Sequence, residues 1–368
     1  MRITALTLWR VDLPLRKPYW LSGGRLRFDR LDSTVLRVET DAGLTGWGEG
    51  CPWGHTYLPA HGPGIRAGIE TMAPAILGLD PRRPGVVERA MDLALPGHLY
   101  AKAPVDMAVL DIAAQAAGVP VSGLLGGAFE GATPAASSIA TGTPAAMLAD
   151  IEDYRARGYR VHSAKIGADP EADIARVRHL EANRLAGEEI YYDVNRAWTR
   201  AEAVTVMNAL ADLPVSFEQP CETLDDCAAI RPLTRHLIAI DERLETVADM
   251  LRIAREGIAE LVNIKINRVG GLSRAARLRD LAIAHGMRIA VMPTGGTVLA
   301  DTEAAHLAQT VSAPFRQRIW SCQDMIAVDP APGRGARVVA GAMAAPESPG
   351  LGVAPDLDRL GAPTSRYA

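Results

Sequence analysis

The chain has 368 residues, 48% of them hydrophobic and 22% charged, a length and balance that suit a large buried core and exclude disorder or a fibrous repeat. Thirty-nine basic against forty-three acidic residues leave a formal charge of −4, aromatics are 5%, and no Lys/Arg-rich run occurs, so no nucleic acid or membrane surface is expected as a partner. No apolar stretch is long enough to span a membrane, and Arg2, Arg10 and Asp12 interrupt any signal-peptide core. Cys51, Cys221, Cys227 and Cys322 lack CxxC pairing, so a cytosolic protein with reduced, structural cysteines and a small-molecule ligand is expected.

The first fifty residues alternate in short apolar runs, ITALTLWRVDL, STVLRVET and TGWGEG, with turn chemistry at Asp41-Ala42-Gly43. This pattern predicts an antiparallel meander. Between the first two runs, Arg16-Lys17-Pro18-Tyr19-Trp20-Leu21-Ser22-Gly23-Gly24 reads as a loop, because proline and paired glycines punctuate it. Residues from about 63 to 117 have helical period and end on AKAPVDMAVLDIAAQAAG, where Val105, Ala108, Val109 and Ile112 share a face and Gly118 stops the helix.

From Thr133 the texture changes to short β-rich runs, each followed by a helical stretch: VHSAKIG, EIYYDVN, PVSFEQP, HLIAIDE, LVNIKIN, MRIAVMP and QRIWSCQ. Lys165, Asp193, Glu218, Asp241, Lys265 and Met292 stand 28, 25, 23, 24 and 27 residues apart, one βα unit per step. With SSIA before them and RIWS after, the count reaches eight. The expected fold is therefore α/β, a (β/α)8-type barrel with one altered unit behind an N-terminal α+β capping domain. A doubly wound sheet would need a glycine-rich phosphate turn, and no GxGxxG occurs. The expected divisions are a cap over 1–125, a catalytic barrel over 126–330 and a tail over 331–368 whose PGLGVAPD segment packs back on the cap.

Charged residues end five successive strands, at Lys165, Asp193, Glu218, Asp241 and Lys265. A closed barrel brings these ends to one mouth, where three carboxylates and two amines share a small volume. Asp193, Glu218 and Asp241 form a hard oxygen set suited to Mg²⁺, with Mn²⁺ as a substitute, and no histidine or cysteine belongs to it, which disfavours zinc. Lys165 and Lys265 flank this set and can address opposite faces of a carbon acid, given amine pKa values lowered by burial and a nearby cation. The expected chemistry is abstraction of the proton α to a carboxylate. Asn195 is expected to orient a ligand, and Glu242 to pair outward.

These residues resemble the enolase superfamily, in its branch of muconate-lactonising enzyme, mandelate racemase and relatives, from the cap through AKAPVDMAVLD and LLGG to PGLGV. The resemblance carries the metal ligands onto Asp193, Glu218 and Asp241 and the paired bases onto Lys165 and Lys265, but Ser163 replaces the first lysine of the second-strand motif. It also implies a homo-oligomer. GHTYLPAHG and HSAKIGAD are similar to relatives that racemise or dehydrate proline betaine and hydroxyproline compounds, so racemisation and dehydration of a proline-derived acid are the expected outcomes. Where many relatives carry an acid after the seventh strand, this chain has Met292-Pro293-Thr294. Trp20, Trp53, Tyr57 and Trp320, with Thr294, are the expected substrate-binding residues, the aromatics by offering faces to a cation. A Schiff-base aldolase using one lysine is the rival from another class.

Overall fold

The computed structural model describes residues 1–368. Strands β1 (Ile3–Leu21), β2 (Leu26–Thr40) and β3 (Thr45–Gly50) form the antiparallel meander that the alternation predicts. Three helices follow, Gly62–Ile76, Pro84–Ala94 and Leu99–Ala117. The last lies directly on β3, because Gly46 and Gly48 present no side chain: a Cβ on Gly48 would stand 1.9 Å from the Pro104 carbonyl oxygen.

Residues 16–24 differ from expectation. Here β1 continues to Leu21, and only Ser22 to Arg25 form the turn. Pro14 pairs with Arg30 and Tyr19 with Phe28, so the residues between bulge out of the ladder. The bulge absorbs Pro18 and is tied down elsewhere, Leu15 bridging to Ile326 and the Arg16 N–H donating to the Met325 carbonyl. Gly23 holds φ 64° at the hairpin tip, where a Cβ would meet the Gly167 carbonyl oxygen at 2.0 Å, so the tip sits flush on the barrel mouth.

Eight parallel strands close the barrel: β4 (Thr133–Ile139), β5 (Val161–Lys165), β6 (Glu189–Asp193), β7 (Ser216–Glu218), β8 (Leu237–Ile240), β9 (Leu261–Lys265), β10 (Arg288–Met292) and β11 (Arg316–Trp320). Ile319 and Trp320 pair with Ala135 and Ala136, which joins the last strand to the first. Seven strands are each followed by a helix. After β11 the chain instead runs through a small hairpin, β12 (Val338–Val339) and β13 (Ala342–Met343), paired on β4. The altered unit is thus the last. Strand β14 (Ser365–Tyr367) returns to pair with β1, and PGLGV reaches the long cap helix, where the Leu351 N–H donates to Asp111 Oδ1.

Two apolar cores result. One fills the space between the barrel strands and their outer helices; the other is the cap interior, continuous with barrel-lining residues such as Tyr191, Ala239, Leu261 and Ala290. No helix is long and apolar enough to cross a membrane, and all four cysteines are buried and free.

Candidate active site

Parallel pairing in register aligns the strand ends: Lys165 stands opposite Asp193, Asp193 opposite Glu218, and Lys265 opposite Met292. Residues two apart on one strand face the same way, so Ser163 with Lys165, Tyr191 with Asp193, and Met292 all reach one cavity. The cap closes it from above with Tyr19, Leu21, Trp53 and Tyr57, and the last barrel strand adds Trp320.

The charges inside are heavily paired. Lys165 bonds Asp193, Lys265 Nζ lies 2.6 Å from Asp241 Oδ2, and Arg268 Nη1 lies 2.9 Å from Asp241 Oδ1. Arg268 is 1% exposed and spends its remaining donors on the Leu244 and Asn263 carbonyls at 3.0 and 3.1 Å. Burial would push the Asp241 carboxyl up, but Lys265 and Arg268 hold it well below the usual range. Burial works in the opposite sense on Lys165, and Asp193, with Tyr19 and Glu218, overrides it, so this amine is raised well above its ordinary value. The expected lowering of that pKa does not hold for the protein alone, because Asp193, Tyr19 and Glu218 together outweigh desolvation.

Glu218 has the reverse environment. Burial, then Asp193 and Asp241, drive its carboxyl well above the ordinary range, and its Oε2 has no hydrogen-bond partner. Arg318 approaches that oxygen only to 3.7 Å while its guanidinium stacks 3.5 Å from the Tyr191 ring centroid. The acids do not already form a ligand cluster, since Asp193 and Asp241 are turned to their own cations. The donor set nevertheless fits a hard divalent cation: Asp193 and Glu218 line the cavity, Asp241 is bonded to the cavity's Lys265, no histidine or cysteine belongs to the set, and Glu218 Oε2 lacks any donor.

A buried network continues behind Asp193. Asn195 Nδ2 donates to Asp193 Oδ2 at 3.1 Å and to Glu242 Oε1 at 3.2 Å; Tyr57 Oη donates to the same Glu242 oxygen at 2.8 Å and accepts from Lys265 Nζ at 3.2 Å. Glu242 is therefore fully buried and bonded inward, not paired to solvent, because the cap loop covers it. Asn195, Arg196, Gln219 and Thr294 adopt left-handed φ of 47°, 66°, 39° and 111°, so strained backbone turns the chain sharply just past three of the strand ends.

The aromatic residues separate into different roles. Trp53 meets Tyr19, Phe28 and Trp320 edge-on with centroids 5.6, 6.0 and 5.7 Å apart, and Trp320 Nε1 donates to Ser138 Oγ at 2.5 Å. Tyr57 does not offer a free face, since Lys265 and Arg196 lie 5.3 and 5.6 Å from its ring centroid; it contributes its hydroxyl instead. Trp20 is outside the site. Strand alternation turns it outward, 38% exposed beneath the Arg27 guanidinium, and it is Tyr19 that points in. The sequence reading assigns no role to Ser138 or Arg268, although Arg268 follows Lys265 by one helical turn, a spacing that puts it back against the preceding strand end.

Residues 4–126 match the family model described as the mandelate racemase / muconate lactonizing enzyme N-terminal domain, and residues 146–359 match the enolase C-terminal domain-like model. The chain is 38% identical over 369 residues, with 100% of both chains covered, to a cis-3-hydroxy-L-proline dehydratase of Roseibium aggregatum. A crystal structure from Silicibacter pomeroyi, described as a putative mandelate racemase/muconate lactonizing enzyme, is 58% identical with TM-score 0.96 and full coverage of both chains. An enolase-superfamily structure from Roseovarius nubinhibens, complexed with magnesium, is 52% identical with TM-score 0.95, covering 100% of this chain and 99% of that one.

Proposed function

This chain belongs to the mandelate racemase / muconate lactonizing enzyme family of the enolase superfamily, and from that premise we propose that it abstracts the α-proton of a proline-derived carboxylate. The observation that supports the reading is that Lys165, Lys265, Asp193 and Glu218 line one cavity, with Lys165 bonded to Asp193 and Lys265 bonded to Asp241 at the neighbouring strand end.

In this reading Asp193, Glu218 and Asp241 hold Mg²⁺, with Mn²⁺ as a substitute, and the metal supplies charge that stabilises the substrate carboxylate as its α-carbon becomes anionic. Lys165 or Lys265, as the free amine, takes the α-proton, and the opposite lysine, protonated, faces the other side of the same carbon. Reprotonation from that side inverts the centre. Where the ring carries a hydroxyl on the neighbouring carbon, loss of that hydroxyl with a proton as water gives the dehydrated ring. Asn195 keeps Asp193 oriented, and Trp53, Trp320 and Thr294 wall the ring, whose nitrogen meets aromatic faces since no acid stands at Met292. A cytosolic homo-oligomer acting on a free small molecule completes the proposal.

Proton NMR in D₂O with Mg²⁺ and a panel of prolines, hydroxyprolines and betaines tests it. Deuterium uptake at the α-carbon with hydroxyl retained supports racemisation, and formation of the cyclic imine or keto acid supports dehydration. Absence of α-exchange across the panel, or a substrate trapped on a lysine by borohydride, refutes it.

A further inference from the structure

Buried polar atoms in a folded protein are nearly always hydrogen-bonded, so those left over in a cavity mark what its ligand must supply. Five side-chain atoms lining this cavity are buried without a partner: Tyr19 Oη, Trp53 Nε1, Asn195 Oδ1, Glu218 Oε2 and Thr294 Oγ1. Glu218 is spoken for by the metal reading, and Asn195 Oδ1 only accepts. Thr294 belongs to the turn after β10, two residues past Met292, which pairs with Lys265, and Trp53 Nε1 carries a single fixed hydrogen.

Tyr19 is the exception in both chemistry and position. It is 6% exposed, its ring is edge-on to Trp53, and it shares the cavity lining with Lys165, Ser138, Asp193 and Glu218. The Ser138 hydroxyl nearby accepts from Trp320 and keeps its own O–H toward Tyr19, so the group left over on Tyr19 is the phenol O–H, a donor without an acceptor. A phenol, with an ordinary pKa of about 10, is a neutral hydroxyl able both to donate and to accept.

We infer that Tyr19 is a specificity residue whose hydroxyl binds a hydroxyl substituent on the substrate ring, on the Lys165 side of the cavity. The inference rests on the proposed α-proton abstraction and deepens it, by assigning the substrate class to hydroxylated rings. A carboxylate end is taken up at the metal ligands, so the only remaining oxygen that a proline-type ring can bring to the cap wall is a ring hydroxyl. A ring without one leaves the buried Tyr19 O–H without an acceptor, and a site built to bond a hydroxyl rejects the analogue that lacks it.

Tyr19→Phe removes only an unpartnered oxygen, so the fold is retained. The magnesium-loaded enzyme is assayed by α-proton exchange in D₂O on 3- and 4-hydroxyprolines and on proline itself. The variant is expected to lose about 10- to 100-fold in kcat/KM on the preferred hydroxylated ring and at least tenfold less than that on proline, so that the ratio of the two collapses. Equal losses on both rings, or no loss on either, overturns the role of Tyr19 and leaves the proposed chemistry standing. Failure of the wild-type enzyme to exchange any of these substrates overturns the proposed chemistry, and this inference with it.

Discussion

Asn195 allows side-chain and backbone contributions to the site to be separated. Its amide bonds Asp193 Oδ2 at 3.1 Å and Glu242 Oε1 at 3.2 Å, and its backbone sits at φ 47°. Hydrogen bonds to charged groups are each worth about 1.5–3 kcal/mol. Asp193 keeps the Asn195 backbone N–H at 2.9 Å on Oδ1, and keeps Lys165, so only part of its orientation is lost when the side chain is removed. A loss of about 10- to 100-fold in Mg²⁺ affinity, or about 1.4–2.7 kcal/mol, is expected for both Asn195→Gly and Asn195→Ala. The two variants differ in stability: glycine accepts the left-handed φ freely, whereas alanine adds a penalty of about 1–2 kcal/mol. Calorimetric Mg²⁺ titration and urea unfolding read the two quantities separately. Wild-type Mg²⁺ affinity in the glycine variant would refute the orienting role, because its backbone is unstrained and only the amide is missing.

Asp193→Asn or Glu218→Gln is expected to abolish turnover and weaken Mg²⁺ binding, while Ser163→Ala stays within about threefold, since no charge is removed; steady-state rates and metal titration decide, and comparable losses in all three contradict the assignment. Trp20→Ala should leave KM unchanged because that ring lies outside the cavity, whereas Trp53→Ala costs about 3–5 kcal/mol of stability in chemical denaturation along with activity, because it removes a buried ring packed on three others. Glu303 is fully buried with both oxygens unpartnered, and burial, then Asp106 and Glu49, push its carboxyl well above the ordinary range. Its folded pKa exceeds the unfolded value of about 4.3, so its contribution is full below that pH and is lost as pH rises through the folded pKa. Glu303→Gln should therefore melt higher than wild type at pH 9 and nearly with it at pH 4; a pH-independent difference would show that Glu303 does not hold a proton in the fold.

The barrel and its charged rim were legible because both follow from local rules. A period of 23 to 28 residues fixes one βα unit, and a charge closing an apolar strand reports a functional mouth. The cap's contribution was legible only in part. Pro18 and the paired glycines are local turn signals, but the bulge that lets β1 run through them depends on contacts with Met325 and Ile326, some three hundred residues away. One residue of phase in that strand decides whether Tyr19 or Trp20 faces the site, and a bulge resets phase without leaving a mark in composition. The inward turn of Glu242 escaped for a related reason: its partners Tyr57 and Asn195 come from the cap loop and from another strand end, and nothing local to AIDE distinguishes a covered carboxylate from a solvated one.

A site shared between two modules can hold reacting groups to the tolerance that proton transfer needs only if the modules cannot shift against each other. The cap meets this requirement with carboxylates placed at barrel helix starts. Glu49, from TGWGEG, accepts from the Thr297 and Ala300 N–H groups at 2.9 and 3.2 Å, at the start of the helix Val298–Gln309 that follows β10. Asp106, on the long cap helix, accepts from the Ser273 N–H at 2.9 Å, at the start of the helix Leu272–Ala284 that follows β9. Each bond satisfies a helix N–H that otherwise has no partner and sets a negative charge against the positive end of the helix dipole. These two helices succeed the strands that end in Lys265 and Met292, so the cap is pinned on the side where Tyr57 must reach Lys265. On the opposite side the Gly23 tip, bonded through its N–H to the Ile166 carbonyl, fixes the hairpin that carries Tyr19 next to Lys165. Each lysine thus has a cap attachment of its own, and the cap tyrosine beside each amine is positioned by bonds to the same stretch of barrel that carries that amine.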